Sequence, residues 1–467
     1  MKANQSRRKF IRDAAMASAG FFIIPRYVLG RGFIAPSDKL NIAGIGIGGK
    51  GTSDLAEFAK SPYVNIVALC DVDDRQAKTS RKSFPKAPYY KDFRVLLEKE
   101  KSTIDAVSVS TPDHTHFAAT IAAMQLGKHV YVQKPLTHSV YEARMLAEAE
   151  KKYKVVTQMG NQGASGDGVR KMQEWYKAGL IGKAHTIYVW TNRPVWPQGM
   201  GKPKKVAPVP AELDWDLWLG PAPYEDYKDG YVPFNWRGYW SFGTGALGDM
   251  GCHLIDPAFK TVGLGYPSEV ECSVAAVYEQ MWTASNYPDS CPLASSVTLT
   301  FPFNNKKGSL ELHWMDGGIR PDRPDELLPD EAMGDDDGSG GVIIEGSKGK
   351  MMCGTYGSNP KLLPTSRMQN INVKQTIKRV PEGHYLQWVN ACIAGYGKNE
   401  LSSPFEYAGP LTESILMGNL ALRSWQLKNA SGKFNGRKKL LWDAQNMKIT
   451  NFDEANQFVK REYRSGW

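Results

Sequence analysis

Asp249 and His253 lie in the run Gly243-Thr244-Gly245-Ala246-Leu247-Gly248-Asp249-Met250-Gly251-Cys252-His253. On a helix, residues i and i+4 share a face. A carboxylate that orients an imidazole makes an acid–base unit able to move a proton on and off a hydroxyl. The same spacing also describes a satisfied Asp–His pair at the start of a helix, and on its own it does not choose between the two. A glycine turn supplies a second kind of chemistry. The apolar run Leu40 to Ile45 reads as a buried strand, breaks into Gly46, Gly48, Gly49 and Gly51, and resumes from Thr52 with helical periodicity. Strand, glycine turn and helix make the dinucleotide-binding arrangement, in which backbone N–H groups approach a pyrophosphate and a helix N-terminus faces the anion. The frame Gly44/Gly46/Gly49 fits as well, but Gly46/Gly48/Gly51 leaves a full strand before the turn. A lone motif of this kind also describes a turn with no ligand.

The neighbouring elements favour the ligand. Val64 to Cys70 reads as a second strand that ends at Asp71, 20 positions past Gly51. A carboxylate there suits the ribose hydroxyls of NAD and repels the 2′-phosphate of NADP, although Arg75 stands close by. Ile104 to Ser110 ends in Thr111-Pro112-Asp113-His114-Thr115-His116, at the carboxyl end of a parallel strand, where ligands bind. His114 and His116 lack a third metal ligand, so no metal is expected. His129 to Val132 ends in Gln133-Lys134-Pro135, and Val155 to Met159 ends in Gly160-Asn161-Gln162. Helical stretches alternate with these strands, which predicts a doubly wound parallel sheet over residues 38–160. From 161 to 467 the pattern changes. Strand candidates at 184–190, 269–278, 296–300, 309–314 and 342–345 are separated by few helices (168–178, 249–262, 384–394, 410–428). This predicts an α+β domain with a large open, mostly antiparallel sheet. Two aromatic loops, Thr191 to Pro197 with Arg193 and Trp196, and Phe234 to Trp240 with Trp236 and Arg237, combine hydrogen-bond forks with flat apolar faces, which suits a sugar. Each of these residues read alone is as well explained by packing.

The formal charge is +10, but Lys2, Arg7, Arg8, Lys9, Arg12 and Arg26 stand against only Asp13 in residues 1–30, which carry half of it. The remainder shows no basic stripe interleaved with aromatics, so nucleic acid is not an expected partner. Ser6-Arg7-Arg8-Lys9-Phe10-Ile11 is a twin-arginine pattern followed by a short, small-residue-rich apolar segment. It reads as a cleaved export signal over 1–30, with no stable membrane insertion and a periplasmic location. The six cysteines form no C-x-x-C pair and read as buried single thiols. Asp335 to Gly341 reads as a solvated loop, because its spacing does not match a calcium loop.

The glycine turn, Asp71, the S-T-P-D-H-T-H run, Gln133-Lys134-Pro135 and Gly160-Asn161-Gln162 together resemble the Gfo/Idh/MocA (glucose–fructose oxidoreductase / inositol dehydrogenase) family, and its exported bacterial type in particular. The family tripeptide is usually E-K-P, so Gln133 is a departure that removes a carboxylate beside the lysine. The resemblance implies that Lys134 acts beside the nicotinamide and the substrate hydroxyl. It implies that Asp249 and His253 match the family D-x-x-x-H, with His253 at the reacting hydroxyl. It also implies that Gly46, Gly48, Gly49, Gly51, Asp71, Thr111, Pro112, His116, Lys134 and Gln162 hold the nucleotide. Arg193, Trp196, Trp236, Arg237 and Trp240 are then assigned to the substrate. The function implied is NAD-dependent hydride transfer at a secondary hydroxyl of a sugar, polyol or glycoside. The nucleotide is expected to be held tightly and loaded before export, and the protein to be a homo-dimer or tetramer. A glycosidase that oxidises, eliminates and reduces back, and a binding protein that retains the nucleotide, are the other two readings.

Overall fold

The computed structural model describes residues 39–303 and 308–467; the twin-arginine stretch lies outside the described residues. Leu40–Ile45 (β1), Val64–Cys70 (β2), Tyr89–Tyr90 (β3), Ala106–Val109 (β4), His129–Val132 (β5) and Thr157–Met159 (β6) form a six-stranded parallel sheet ordered 3-2-1-4-5-6. Between them run the helices Lys50–Phe58 (α1), Asp74–Ser83 (α2), Phe93–Glu100 (α3), His116–Gln125 (α4) and Val140–Tyr153 (α5). β4 is buried at all four positions, as a strand covered on both faces must be. The strand order reverses between β1 and β4. A doubly wound sheet opens its ligand crevice at that switch point, beyond the carboxyl ends of the strands. Local sequence sets the helix starts. Asp73 and Asp92 accept from the N–H groups of Arg75 and Arg94, and Ser139 with Glu142 forms a capping box on α5.

Asp167–Lys177 (α6) leads to Ala184–Thr191 (β7). The short helix Trp215–Leu219 (α7) and the long Gly245–Val262 (α8) follow. Then come Glu269–Val274 (β8), the hairpin Tyr278–Gln280 (β9) and Thr283–Ala284 (β10), Ser295–Pro302 (β11) and Ser309–Met315 (β12). Gly340–Gly346 (β13), Gly349–Cys353 (β14) and Lys361–Leu363 (β15) precede the helices Gly383–Ala394 (α9) and Phe405–Trp425 (α10), and Leu440–Asp443 (β16) and Lys448–Ile449 (β17) close the element order. Nine of these strands form one sheet ordered 15-14-13-7-12-11-8-16-17. Its neighbours are antiparallel except β7 and β12, which run parallel. Leu310, Leu312 and Trp314 of β12 alternate inward, where α8 and α10 cover the sheet.

One feature differs from the sequence reading. α10 begins at Phe405, before Pro410. Its first N–H groups are capped from outside: Phe405 donates to Thr157 Oγ1 and Glu406 to Glu150 Oε2. That satisfies a turn which the proline could not have closed alone. The chain after residue 380 returns to the parallel sheet. Phe58, Tyr131 and Trp388 are fully buried with ring centroids 5.1–5.6 Å apart, which fixes α9 against α1. Each such side chain contributes about 1.5–3 kcal/mol by burial. The six cysteines are all free thiols. No helix among the described residues is long and apolar enough to cross a membrane.

Candidate functional site

A cleft of ≈ 620 Å³ opens at the switch point and runs from the glycine turn to the inner end of α8. Gly46, Gly48, Gly49, Asp71, Thr111, Pro112, Lys134, Gln162, Arg193, Trp196, Trp236, Arg237, Asp249 and His253 all line it. Residues from both halves of the sequence therefore meet in one concave surface of ordinary ligand-pocket size.

At the nucleotide end, Gly46 has φ +75°, and a Cβ there would stand 2.8 Å from the Ser110–Thr111 backbone. A Cβ on Gly51 would lie 1.9 Å from the Gly46 carbonyl oxygen. Both distances are impossible for a side chain, so the glycines allow β1, α1 and β4 to close on one another. Gly51 does this from behind and does not line the cleft, which corrects its assignment as a contact residue. No side chain caps the first turn of α1. Its N–H groups and the glycine turn thus form a cradle that fits a pyrophosphate. The Asp71 carboxylate accepts from the N–H groups of Ile47 (2.9 Å) and Gly48 (3.0 Å), which ties the end of β2 to the turn. Burial raises the Asp71 carboxyl to about 6, against the opposing pull of those N–H groups. Arg75 is forked onto Asp73 at 2.8 and 2.7 Å, and the Lys91 ammonium is 2.9 Å from Asp74. Arg75, four positions past Asp71, and Lys91, which lines the cleft, are therefore already paired.

His116 is also set behind the cleft. Its ring nitrogens lie 2.7 Å from the Pro135 oxygen and 2.8 Å from the Thr111 oxygen, so it bolts the β4 loop to the Gln133-Lys134-Pro135 loop and does not touch a ligand directly. His114 is buried between the carbonyl oxygens of Trp218 and Phe242. Gln162 donates to the hydroxyl of Tyr385 at 3.0 Å.

At the other end, the Lys134 ammonium donates to both Oδ1 and the main-chain oxygen of Asp249, each at 2.8 Å. Arg237 Nε is 3.5 Å from the same Oδ1. The expected Asp249–His253 hydrogen bond is not formed. A lysine from the parallel sheet takes the carboxylate instead, because an ammonium is a stronger donor to it than a neutral imidazole. Burial alone would raise the Asp249 carboxyl, but the Lys134 and Arg237 charges hold it below its ordinary value. His253 sits one turn on, 5% exposed, with its ring edge-on to Tyr356 at 4.6 Å. Its Nδ1 has no hydrogen-bond partner. Burial and the Lys134 charge hold its pKa well below the ordinary histidine value, so the ring is neutral.

The wall facing these groups is aromatic and cationic. Arg237 lies 4.3 Å from the ring centroids of both Phe234 and Trp236. Trp196 packs edge-on against Phe234, and its indole N–H is spent on Gln198 at 2.9 Å. The Arg193 guanidinium has no ion-pair partner among the described residues and lines the cleft. Trp240 does not. It packs beside Leu416, Leu420 and Arg423 in a separate small crevice, because the turn at Asn235–Gly238 directs Trp236 and Arg237 inward and the chain then descends into the core. The structure adds Lys50, Asp113, Trp218 and Tyr356 to the lining. Lys50 sits inside the glycine turn and was legible there. Tyr356, in the loop after β14, carries no sequence signal.

The sequence profile of the Gfo/Idh/MocA oxidoreductases, an NAD-binding Rossmann fold, matches residues 40–161, and that of the family's C-terminal alpha/beta domain matches 168–287. A glycosyl hydrolase family 109 protein of Shewanella sp. (strain W3-18-1) is 29% identical over 184 residues, 34% of this chain and 40% of that protein. Myo-inositol 2-dehydrogenase of Thermotoga maritima is 27% identical over 158 residues, 34% of this chain and 47% of that protein. The matches thus span less than half the length of these relatives. Among solved structures, the WlbA dehydrogenase from Bordetella pertussis, in complex with NADH and UDP-GlcNAcA, aligns with a TM-score of 0.55 at 15% identity, covering 81% of this chain and 95% of that one. The aldose–aldose oxidoreductase from Caulobacter crescentus, complexed with glycerol, gives 0.52 at 15% identity, covering 82% and 98%. These are likenesses of fold. With both of its profiles matched in order and over more than half of its length, the chain belongs to the Gfo/Idh/MocA family of oxidoreductases, with that family's NAD-binding Rossmann fold.

Proposed function

We propose that this protein is an NAD-dependent oxidoreductase acting on a secondary hydroxyl of a sugar, polyol or glycoside. One observation carries the reading: Lys134, from the parallel sheet, and His253, from α8, meet in the cleft between a pyrophosphate cradle and a wall of Arg and Trp side chains. A dinucleotide held by its pyrophosphate at the cradle would supply the hydride acceptor or donor through its nicotinamide. The protein does the rest. The neutral imidazole of His253 takes the hydroxyl proton. The Lys134 ammonium, held by Asp249, donates a hydrogen bond to the same oxygen and stabilises the negative charge that develops on it. Arg193, Trp196, Trp236 and Arg237 hold the ring and its hydroxyls. NAD fits better than NADP, because Asp71 ends β2 and the nearby Arg75 and Lys91 are already paired.

A glycosidase using the same parts is the second reading, favoured by the glycosyl hydrolase family 109 proteins among the relatives. A screen of glycosides that follows nicotinamide reduction and aglycone release together separates the two. Net reduction without release supports the dehydrogenase. Release without net reduction supports the glycosidase, and neither in any substrate class leaves only a nucleotide-retaining binding protein. The twin-arginine pattern at Ser6 to Ile11 fits export of the folded protein to the periplasm with its nucleotide already held, and the protein is proposed to work as a homo-oligomer.

A further inference from the structure

The Asp54 side chain is fully buried in α1 and accepts four hydrogen bonds, two on each oxygen. Lys50 Nζ (2.6 Å) and Tyr385 OH (2.9 Å) reach Oδ1; Ser110 Oγ and Gln133 Nε2 reach Oδ2, both at 2.8 Å. The four donors come from the glycine turn, α9, the end of β4 and the end of β5. A carboxylate offers about four lone-pair sites, so its accepting capacity is used in full. Gln133 is itself held in place. Its main-chain N–H donates to the Val109 oxygen at 2.9 Å, and Gly160 packs so closely that a Cβ there would stand 2.8 Å from the Gln133 amide. The next residue is Lys134, and the residue after it, Pro135, is held through its oxygen by His116. Lys134 is therefore clamped on both sides, by His116 after it and by Asp54, through Gln133, before it.

We propose that Asp54 and Gln133 are a matched pair in which the negative charge usually carried by the residue before the lysine has moved onto α1, making Asp54 a positioning residue for Lys134 and for the glycine turn. A glutamate at 133 would set its oxygen where the amide nitrogen now lies, 2.8 Å from the Asp54 oxygen, and Gly160 leaves it no room to swing aside. Two carboxylates at that distance cannot both stay ionised, so one must hold a proton or the loop must move. With Asn at 54 the relation inverts: its amide can donate to a glutamate at 133, while its oxygen still faces Lys50. The pairing does not depend on which hydroxyl is oxidised; only the activity arm of its test rests on the proposed reaction.

The test compares Gln133→Glu, Asp54→Asn and the double variant, reading thermal midpoint without added nucleotide, NAD affinity by titration, and turnover. Gln133→Glu is expected to lose roughly a hundredfold in NAD affinity at pH 8 and distinctly less at pH 5, where a shared proton relieves the repulsion. Asp54→Asn is expected to lose about tenfold, as the charge opposite Lys50 disappears. The double variant should bind NAD within about threefold of Asp54→Asn alone and recover its thermal midpoint, a non-additive result that a merely structural role for either residue does not give. If Gln133→Glu alone does not fold, the same inversion is read as recovery of folded protein in the double variant. A double variant as impaired as the sum of the two single changes, or a Gln133→Glu protein indistinguishable from the parent, overturns the pairing. If the thermal and nucleotide arms invert as described but no substrate turns over, the pairing stands and the proposed reaction fails.

Discussion

Lys134 Nζ lies 2.8 Å from Asp249 Oδ1, so an ion pair joins the carboxyl end of β5 to the helix that carries His253. The two residues come from the two halves of the sequence, and their contact holds both proposed proton-handling groups in one place. Both side chains are largely buried, at 17% and 16% exposure.

Lys134→Met should therefore remove the donor to the substrate oxygen while leaving Asp249 next to Arg237. We expect turnover to fall roughly a thousandfold. Thermal stability should fall by only about 1–2 kcal/mol, because Arg237 remains to compensate the carboxylate. Steady-state kinetics with circular dichroism on the same preparation checks both; near-normal turnover in a folded variant contradicts the role of the lysine.

His253 and Asp71 predict opposite edges of a pH profile from those of ordinary side chains. The His253 ring is held neutral by burial, so the proposed base stays competent well below the usual histidine range, and turnover at saturating NAD should not decline through it. Asp71 is raised to about 6 in the free protein. Its ionised form is the one proposed to accept a ribose hydroxyl, so NAD affinity should weaken as pH falls through about 6. The stability effect has the other sign: the folded protein keeps a proton that the unfolded chain releases, so raising pH from about 4 to 6 costs stability in the absence of NAD. NAD titrations and urea unfolding at several pH values measure the two trends, and Asp71→Asn should flatten both.

The aromatic wall offers a contrast between neighbours. Arg193→Gln and Trp196→Ala should raise KM for the substrate about tenfold with a smaller change in kcat, since both are proposed to bind the ring and neither is assigned to the proton. Trp240→Phe should leave KM unchanged, because Trp240 packs in the core away from the cleft. A KM effect at Trp240 matching that at Trp196 would falsify the placement of the substrate.

Gly51→Ala is expected to be severe although the residue does not line the cleft. The added Cβ would meet the Gly46 carbonyl oxygen at 1.9 Å, and both groups are backbone, so α1 must shift. We expect a loss of about 3 kcal/mol or more, with NAD affinity falling in parallel. Thermal melts with and without NAD read both.

The parallel half was legible because each core strand is a mostly apolar run followed by a residue that lines the cleft: Gly46 after β1, Asp71 after β2, Thr111 after β4, Lys134 after β5. The short strands β14 to β17 were not, since two to five residues are too few to show an alternation, and β16 is fixed in the sheet only by β8, 170 positions earlier. The i, i+4 spacing of Asp249 and His253 placed both in the cleft but misassigned the carboxylate. Helical periodicity reports one helix, while Lys134 arrives from 115 residues away. Tyr356 and the Asp54 hub escaped for the same reason: one depends on a loop folded under α8, the other on four donors that only the finished fold gathers.

Native mass spectrometry of the purified protein tests the central claim most directly. The account predicts one NAD per chain, either retained through purification or bound after incubation with NAD and not with NADP, and lost together with activity in a Gly51→Ala variant that still folds. A protein that shows only the mass of its polypeptide after incubation with NAD, while folded and monodisperse, contradicts it.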